Sequence, residues 1–256
     1  MSCASDSASG RYSSMDSLQR LTLAEVVSIV GSRKPPFALS VRNVDEARRH
    51  LHMMVQAERE IRGDTSSCLA GVDEAGRGPL AGPVVAAAVI LPPDLDEHFL
   101  DNLIGIDDSK RLTPERRESL FLTIASTAEE VSIGIATSTE IDQTDILRAT
   151  HIAMRRAVSG LRRMPHLAVV DGNSDPELPC RTLCVVKGDS QVLSVAAASI
   201  VAKVVRDSIM ESIHRVYPQY GFISNKGYPT QAHYRALANY GPCPVHRRTF
   251  RLFRDA

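Results

Sequence analysis

The sequence lacks a long apolar segment, an ordered cysteine pattern and a net charge. No stretch approaches the roughly 18 consecutive apolar residues that a membrane-spanning helix requires. Residues 1–17 are rich in serine and small residues, and they contain no apolar core of a signal peptide. The two aspartates and single arginine of this stretch also argue against a mitochondrial presequence. We therefore expect a cytoplasmic protein with no membrane partner.

The five cysteines are odd in number and scattered along the chain. A disulfide framework would need pairing, and a zinc site would need close cysteine pairs with completing ligands. Cys180 and Cys184 are close in sequence, but no second pair or histidine stands nearby to complete four ligands. We interpret the cysteines as reduced, structural thiols.

Positive charge and aromatic residues concentrate near the C-terminus. From residue 200 onward, nine basic residues stand against three acids, so this segment carries a charge of +6 although the whole chain is neutral. Eight of the twelve phenylalanines and tyrosines lie between residues 217 and 253. Such interleaving is typical of a surface that follows a phosphate backbone and stacks on bases. A basic helical face over an aromatic core is the alternative, and composition leaves both open.

The order of predicted elements indicates an α/β fold with a central mixed sheet flanked by helices. Residues 1–17 are typical of a disordered tail, and residues 18–65 predict a helical extension in two pieces. A main domain over residues 66–256 would end in an irregular helical, substrate-binding segment from about residue 214. Apolar runs and helical spacing predict strands at 68–73, 84–91, 131–137, 167–170 and 182–186, and helices from Thr113, over 142–161 and over 194–213.

Acidic residues follow the predicted strands. Asp73, Asp171 and Asp189 stand at strand ends, where a metal ion can reach the edge of a sheet. Glu74 follows Asp73, and its side chain joins the same site only if the strand ends at Asp73, because consecutive strand residues point to opposite faces. Oxygen ligands without a cysteine or histidine set favour Mg²⁺ or Mn²⁺. The alternative is that these acids only cap helices, Asp189 before Ser190 above all.

Three glycines and two prolines form a turn over residues 76–83. Such a turn lets the backbone approach a ligand closely, and Arg77 supplies positive charge for a phosphate. No Gly-Lys-Ser/Thr follows, so this is not a Walker loop. The turn by itself is compatible with several kinds of enzyme.

Residues 71–84, Gly-Val-Asp-Glu-Ala-Gly-Arg-Gly-Pro-Leu-Ala-Gly-Pro-Val, resemble the signature of the ribonuclease HII family of bacteria and archaea. The resemblance extends over about residues 68–253 and implies a ribonuclease H-like fold. It also implies an endonuclease that cleaves the RNA strand of RNA/DNA hybrids and single ribonucleotides in duplex DNA. Further matches follow in order: Asp-Ser-Lys-Arg-Leu from 108, Val-Asp-Gly from 170, Lys-Gly-Asp from 187, residues 197–207, Tyr-Pro from 217, Asn-Lys-Gly-Tyr from 225 and His-Arg from 246.

The resemblance assigns catalysis to four acids: Asp73, Glu74, Asp171 and Asp189. The first three would hold two Mg²⁺ or Mn²⁺ ions, with Asp73 the best candidate to bridge both. Two such ions activate a water and stabilise the leaving oxygen. Cleavage on the 5′ side of the ribonucleotide would then leave 3′-hydroxyl and 5′-phosphate ends.

The resemblance also assigns substrate contacts. The backbone of Gly76, Arg77 and Gly78 would read the ribose 2′-hydroxyl, which distinguishes RNA from DNA. Tyr228 would stack on the sugar at the RNA–DNA junction, whereas its residue type alone favours packing. Ser109 and Lys110 would contact phosphate, although solvation alone also explains a lysine there.

Several points stay open in the sequence. Lys203 and Arg206, on the long predicted helix, either touch phosphate or flank its surface. Pro229 stands where the family more often has glycine and pushes Tyr228 towards extended backbone. Residues 18–65 have no assigned counterpart and are shorter than the N-terminal domain of ribonuclease HIII.

We expect a monomer that binds nucleic acid and removes ribonucleotides during DNA replication and repair. One rival is a nucleic-acid-binding protein that has lost its chemistry, which the four acids argue against. The other is a resolvase-like nuclease that needs no 2′-hydroxyl.

Overall fold

The computed structural model describes residues 23–32, 44–63, 67–106 and 112–253. The tail predicted for residues 1–17 lies outside these ranges. The strands are β1 Leu69–Ala75, β2 Val84–Ile90, β3 Glu130–Ala136, β4 Leu167–Asp171 and β5 Arg181–Val185. The helices of the described part are α1 Leu23–Gly31, α2 Val44–Arg62, α3 Glu97–Leu103, α4 Pro114–Thr127, α5 Ser138–Gln143, α6 Ile146–Ser159, α7 Leu193–Val216, α8 Phe222–Asn225 and α9 Gln231–Tyr240.

The five strands form one mixed sheet in the order β3-β2-β1-β4-β5. β2 is antiparallel to both β1 and β3, whereas β4 is parallel to both β1 and β5. The predicted α/β fold with a central mixed sheet and flanking helices is therefore confirmed. No helix in the described ranges is long and apolar enough to cross a membrane.

Helices cover both faces of the sheet, which explains why β2 is an unbroken apolar run rather than an alternating one. The odd-numbered residues from Val85 to Val89 pack in the same cluster as α7, and the even-numbered residues from Val84 to Ile90 pack with α6. β1 and α7 approach each other closely. A Cβ atom built on Gly71 would lie 2.1 Å from the carbonyl carbon of Ser194.

Local capping breaks one predicted helix. The helix expected over residues 142–161 is two helices, because α5 ends at Gln143 and α6 starts at Ile146. The carboxylate of Asp145 accepts a hydrogen bond from the amide of Arg148 and so begins a new helix. The C-terminal segment, expected to be irregular, contains the regular helix α9, which Thr230 caps.

The N-terminal extension packs against α7. Leu51 and Met54 of α2 are fully buried in the cluster that contains α7. The carboxylate of Glu58 accepts hydrogen bonds from the Ser194 amide at 2.7 Å and from Arg62 at 2.9 Å. The side chain of Val192, at the N-cap of α7, makes no capping hydrogen bond. Glu58 instead supplies the capping carboxylate, and its negative charge lies at the N-terminus of this helix. The division at residue 65 into extension and domain stays a prediction.

Candidate active site

Asp73 lies within β1 and not at its end, where the sequence predicts it. β1 continues to Ala75, and Glu74 still pairs with Ala86, so the expectation that the strand ends at Asp73 is wrong. The carboxylate of Glu74 nevertheless lies near enough to raise the pKa of Asp73. The two acids therefore interact although the ladder of β1 and β2 runs past them.

The Asp73 carboxyl group is buried, with 5% of the residue exposed. Burial raises its pKa well above the ordinary value, and the carboxylates of Glu74 and Asp171 raise it further. Parallel pairing of Val72 with Val170 brings Asp171 to the same edge of the sheet. The structure thus brings together the first three predicted acids.

Asp189 lies on a turn that is bonded to Asp171. The amide of Gly188 donates to the Asp171 carboxylate at 2.7 Å, and Gly188–Ser190 forms a single 3₁₀ turn in which Asp189 is buried. The helix-cap interpretation of Asp189 is wrong, because α7 starts at Leu193 and receives its capping carboxylate from Glu58.

The donor set fits a divalent cation, although it is not preformed as a cage. Among the residues that the structure describes, no group of three or more acids, histidines or cysteines is already arranged to hold a metal ion. Instead, Asp73 accepts from the Glu74 amide at 2.6 Å, and Glu74 lies 3.5 Å from the Arg77 guanidinium. A hard cation binds carboxylate oxygens of this kind and would relieve the repulsion that raises the pKa of Asp73.

Ser199 contacts the site, and sequence reasoning gave it no role. Its hydroxyl forms a hydrogen bond with Asp73 and lowers the pKa of that carboxyl, opposing the effect of burial. The serine is buried within an otherwise apolar stretch of α7. A lone hydroxyl in an apolar helical run was the available signal.

The glycine turn packs beside Tyr228. Gly76 is buried with φ of 100°, a conformation that favours glycine, whereas Arg77 and Gly78 are exposed. A Cβ atom built on Gly78 would lie 3.7 Å from Tyr228 Cε1. The Arg77 guanidinium, 3.5 Å from Glu74, links this turn to the acids.

Tyr228 is 39% exposed, so its ring is not a core residue. Its backbone carbonyl accepts a hydrogen bond from His233 Nδ1 at 2.9 Å, and His233 Nε2 lies 3.0 Å from His246 Nε2. Because a carbonyl only accepts, Nδ1 of His233 carries the proton, and His246 Nε2 donates to the free nitrogen of His233. The amide of Cys243 donates to His246 Nδ1 and completes a neutral chain behind Tyr228.

Acidification should weaken this histidine chain. Burial, and then His233, lower the pKa of His246 from 6.5 to about 4. As the pH falls, the unfolded chain therefore takes up the proton before the folded protein does. The contribution of neutral His246 to the stability of the fold is complete above pH 6.5 and is lost as the pH falls towards 4. Between pH 7 and pH 4, we expect the free energy of unfolding of His246→Gln to fall by about 3 kcal/mol less than that of the unaltered protein.

Urea titrations at both pH values measure this effect, and His52→Gln on the exposed side of α2 is the matched control. An equal pH dependence in His246→Gln and the unaltered protein would contradict the neutral chain.

Some of the C-terminal basic residues are engaged within the protein, whereas others are exposed. Lys203 pairs with Asp207 at 2.7 Å, and Arg206 is 1% exposed, so a phosphate contact for Arg206 is wrong. Tyr220 and Phe222 stack in the core with ring centroids 5.4 Å apart. The packing alternative therefore holds for part of this segment.

Ser109 and Lys110 lie outside the described residues. The described cysteines, which include the pair at 180 and 184, are free thiols.

A mixed five-stranded sheet flanked by helices, with acids near the neighbouring ends of β1 and β4, is a ribonuclease H-like fold. The family model for ribonuclease HII matches residues 70–253. A Polaromonas ribonuclease HII is 54% identical over 77% of this chain and 96% of its own length. The chain therefore belongs to the ribonuclease HII family. It is an endonucleolytic hydrolase with ribonuclease H activity on RNA/DNA hybrids, in a family that generally uses divalent metals.

Solved structures agree with this assignment. The ribonuclease H2 of Pyrococcus horikoshii is 30% identical, with a TM-score of 0.60 over 72% of this chain and 94% of that one.

A Caldanaerobacter subterraneus ribonuclease HII is 44% identical over 91% of this chain and 90% of its own length. The remaining 9% is shorter than residues 1–65, so the match extends into the N-terminal extension. The segment to which the sequence assigned no counterpart is therefore matched in part by this relative.

Proposed function

We propose that this protein cleaves both RNA/DNA hybrids and duplex DNA that contains a single ribonucleotide. The observation that carries the proposal is the link between the buried acids and the Gly-Arg-Gly turn, in which Arg77 faces Glu74 and Gly78 lies against Tyr228. A site built in this way can place one ribose beside the carboxylates and exclude a strand without it. Its role would be the removal of ribonucleotides from DNA by a monomeric cytoplasmic enzyme.

Asp73, Glu74 and Asp171 would hold two ions, Mg²⁺ or Mn²⁺, with Asp189 as the fourth acid of the site. When bound, such ions supply an activated water and stabilise the leaving oxygen. The chain itself orients the carboxylates: the Ser199 hydroxyl holds Asp73, and the Gly188 amide holds Asp171. Hydrolysis on the 5′ side of the ribonucleotide leaves 3′-hydroxyl and 5′-phosphate ends.

Ribose recognition would come from the backbone of Gly76, Arg77 and Gly78, with the Tyr228 ring stacked on the adjoining sugar. The exposed ring of Tyr228 and its contact with Gly78 support this role. We propose that Arg77, Ser109 and Lys110 bind flanking phosphates, since cations position nucleic acid without reading its sequence.

The test compares three duplexes of one sequence in Mg²⁺ and in Mn²⁺: one with a single ribonucleotide, one with a full RNA strand, and one of DNA alone. We expect the first two to be cut and the third to remain intact, with 5′-phosphate on the downstream product. Cleavage of the hybrid alone would limit the activity to longer RNA. A four-way junction of DNA alone is the fourth substrate, and its cleavage would instead support a resolvase-like nuclease.

A further inference from the structure

Two arginines rank among the largest fully buried side chains of the described residues: Arg206, 1% exposed, and Arg247, fully buried. Burial is costly for a guanidinium and lowers the pKa of Arg206 to about 10 and that of Arg247 to about 9. Such groups persist only where hydrogen bonds compensate for the lost water. Both arginines find these bonds at the glycine turn.

Arg247 binds the turn through backbone carbonyl oxygens. Its Nη1 donates to the Arg77 carbonyl at 2.8 Å, and its Nη2 donates to the Gly76 carbonyl at 2.5 Å. Both Nε and Nη2 also donate to the Gly82 carbonyl, at 3.0 and 2.9 Å. One guanidinium therefore holds both ends of the turn.

Arg206 joins the turn to the segment before Tyr228. Its Nε donates to the Pro83 carbonyl at 3.0 Å, and its Nη2 to the Ala81 carbonyl at 3.2 Å. Its Nη1 donates to the Lys226 carbonyl at 3.1 Å, two residues before Tyr228. The turn and the tyrosine segment are thereby fixed to one side chain.

The inward carbonyls determine where the amides point. In a trans peptide the C=O and the N–H of the next residue point in opposite directions. Because the carbonyls of Gly76 and Arg77 point to the buried Arg247, the amides of Arg77 and Gly78 point away from it, towards the exposed side. A cation on a carbonyl also polarises the peptide and strengthens the amide as a donor.

We propose that Arg206 and Arg247 form a buried arginine brace that aims the amides of Arg77 and Gly78 at the ribose and fixes them relative to Tyr228. This inference rests on the proposed ribose recognition. The two arginines are positioning residues: they touch the turn and not the substrate. Their function is selectivity for a strand with a 2′-hydroxyl, rather than general affinity for nucleic acid.

Arg247→Lys tests the brace, and Arg206→Lys is the second variant if the first yields no folded protein. A lysine keeps the charge but cannot reproduce the planar fork of donors. The measurements are kcat and KM for the single-ribonucleotide duplex, and the Ki of the all-DNA duplex as a competitive inhibitor. Ile124→Ala, a core substitution on α4 away from the turn, controls for lost stability.

We expect each lysine variant to lose at least about 100-fold in kcat/KM, the equivalent of two lost hydrogen bonds at about tenfold each, while Ki for DNA changes less than about threefold. The control variant should keep both values. A kcat/KM within about threefold of the unaltered protein would overturn the brace, as would an equal loss in Ki. Failure of the proposed function is distinct, since the unaltered protein would then not prefer the ribonucleotide duplex.

Discussion

Replacing Asp73 by asparagine is expected to lower the cleavage rate by about 10³-fold or more while leaving substrate affinity largely unchanged. Asp73 is the carboxylate that Glu74 and Asp171 both face, so its loss removes the centre of the proposed metal site. The proposed positioning contacts come from the glycine turn and Tyr228, which the substitution does not alter. Single-turnover cleavage and equilibrium binding of the single-ribonucleotide duplex measure the two effects.

Stability without metal should not fall together with activity in Asp73→Asn. The pKa of Asp73 is higher in the folded protein than in the unfolded chain. When the pH rises above the ordinary pKa of an aspartate, ionisation of Asp73 therefore destabilises the fold. An uncharged asparagine removes that repulsion, and we expect no loss of unfolding free energy in a chelator. Asp101→Asn, half exposed on α3, is the control that should keep full activity. A rate within tenfold of the unaltered protein in Asp73→Asn would refute the role of Asp73.

A large effect on folding is expected for Gly71→Ala. The added Cβ would lie 2.1 Å from the carbonyl carbon of Ser194 and 2.3 Å from the amide nitrogen of Val195. These are backbone atoms, so β1 and α7 must separate, and Ser199 would move away from Asp73. We expect the free energy of unfolding to fall by at least about 3 kcal/mol, measured by urea denaturation.

Gly31→Ala is the matched substitution. A Cβ there meets nothing within 4 Å, and the residue ends helix α1. Alanine also has the better helix propensity, so we expect a change within about 1 kcal/mol of zero. If Gly71→Ala proved as mild as Gly31→Ala, the close approach of β1 and α7 would not be a constraint on the fold.

The sequence predicts the sheet and its acids because both depend on local patterns. Unbroken apolar runs and carboxylates at their ends marked β1 and β4, and parallel pairing then placed Asp171 beside Asp73. The argument for Glu74 assumed a strand end at Asp73, whereas the ladder continues to Ala75. The end of β1 depends on how far β2 pairs with it, and the sequence of β1 alone does not show this.

The supporting contacts could not be predicted, because their partners are distant in the chain. Arg206 was open to interpretation as a phosphate ligand, since a positive charge on a helix looks the same in sequence whether solvent or carbonyl oxygens surround it. Its partner Pro83 is 123 residues away, and the partner of Glu58 is 136 residues away. The partner of Ser199 could not be assigned for the same reason, since Asp73 lies on another element.

The capping of α7 by Glu58 means that the unit of folding is larger than the segment that the family model matches. The family match begins at residue 70, twelve residues after Glu58. A fragment cut at that boundary would retain every acid of the site but would leave the buried Ser194 amide without its carboxylate. The family model therefore marks where the chemistry is encoded, whereas a contact outside the segment that it matches helps to hold the fold together.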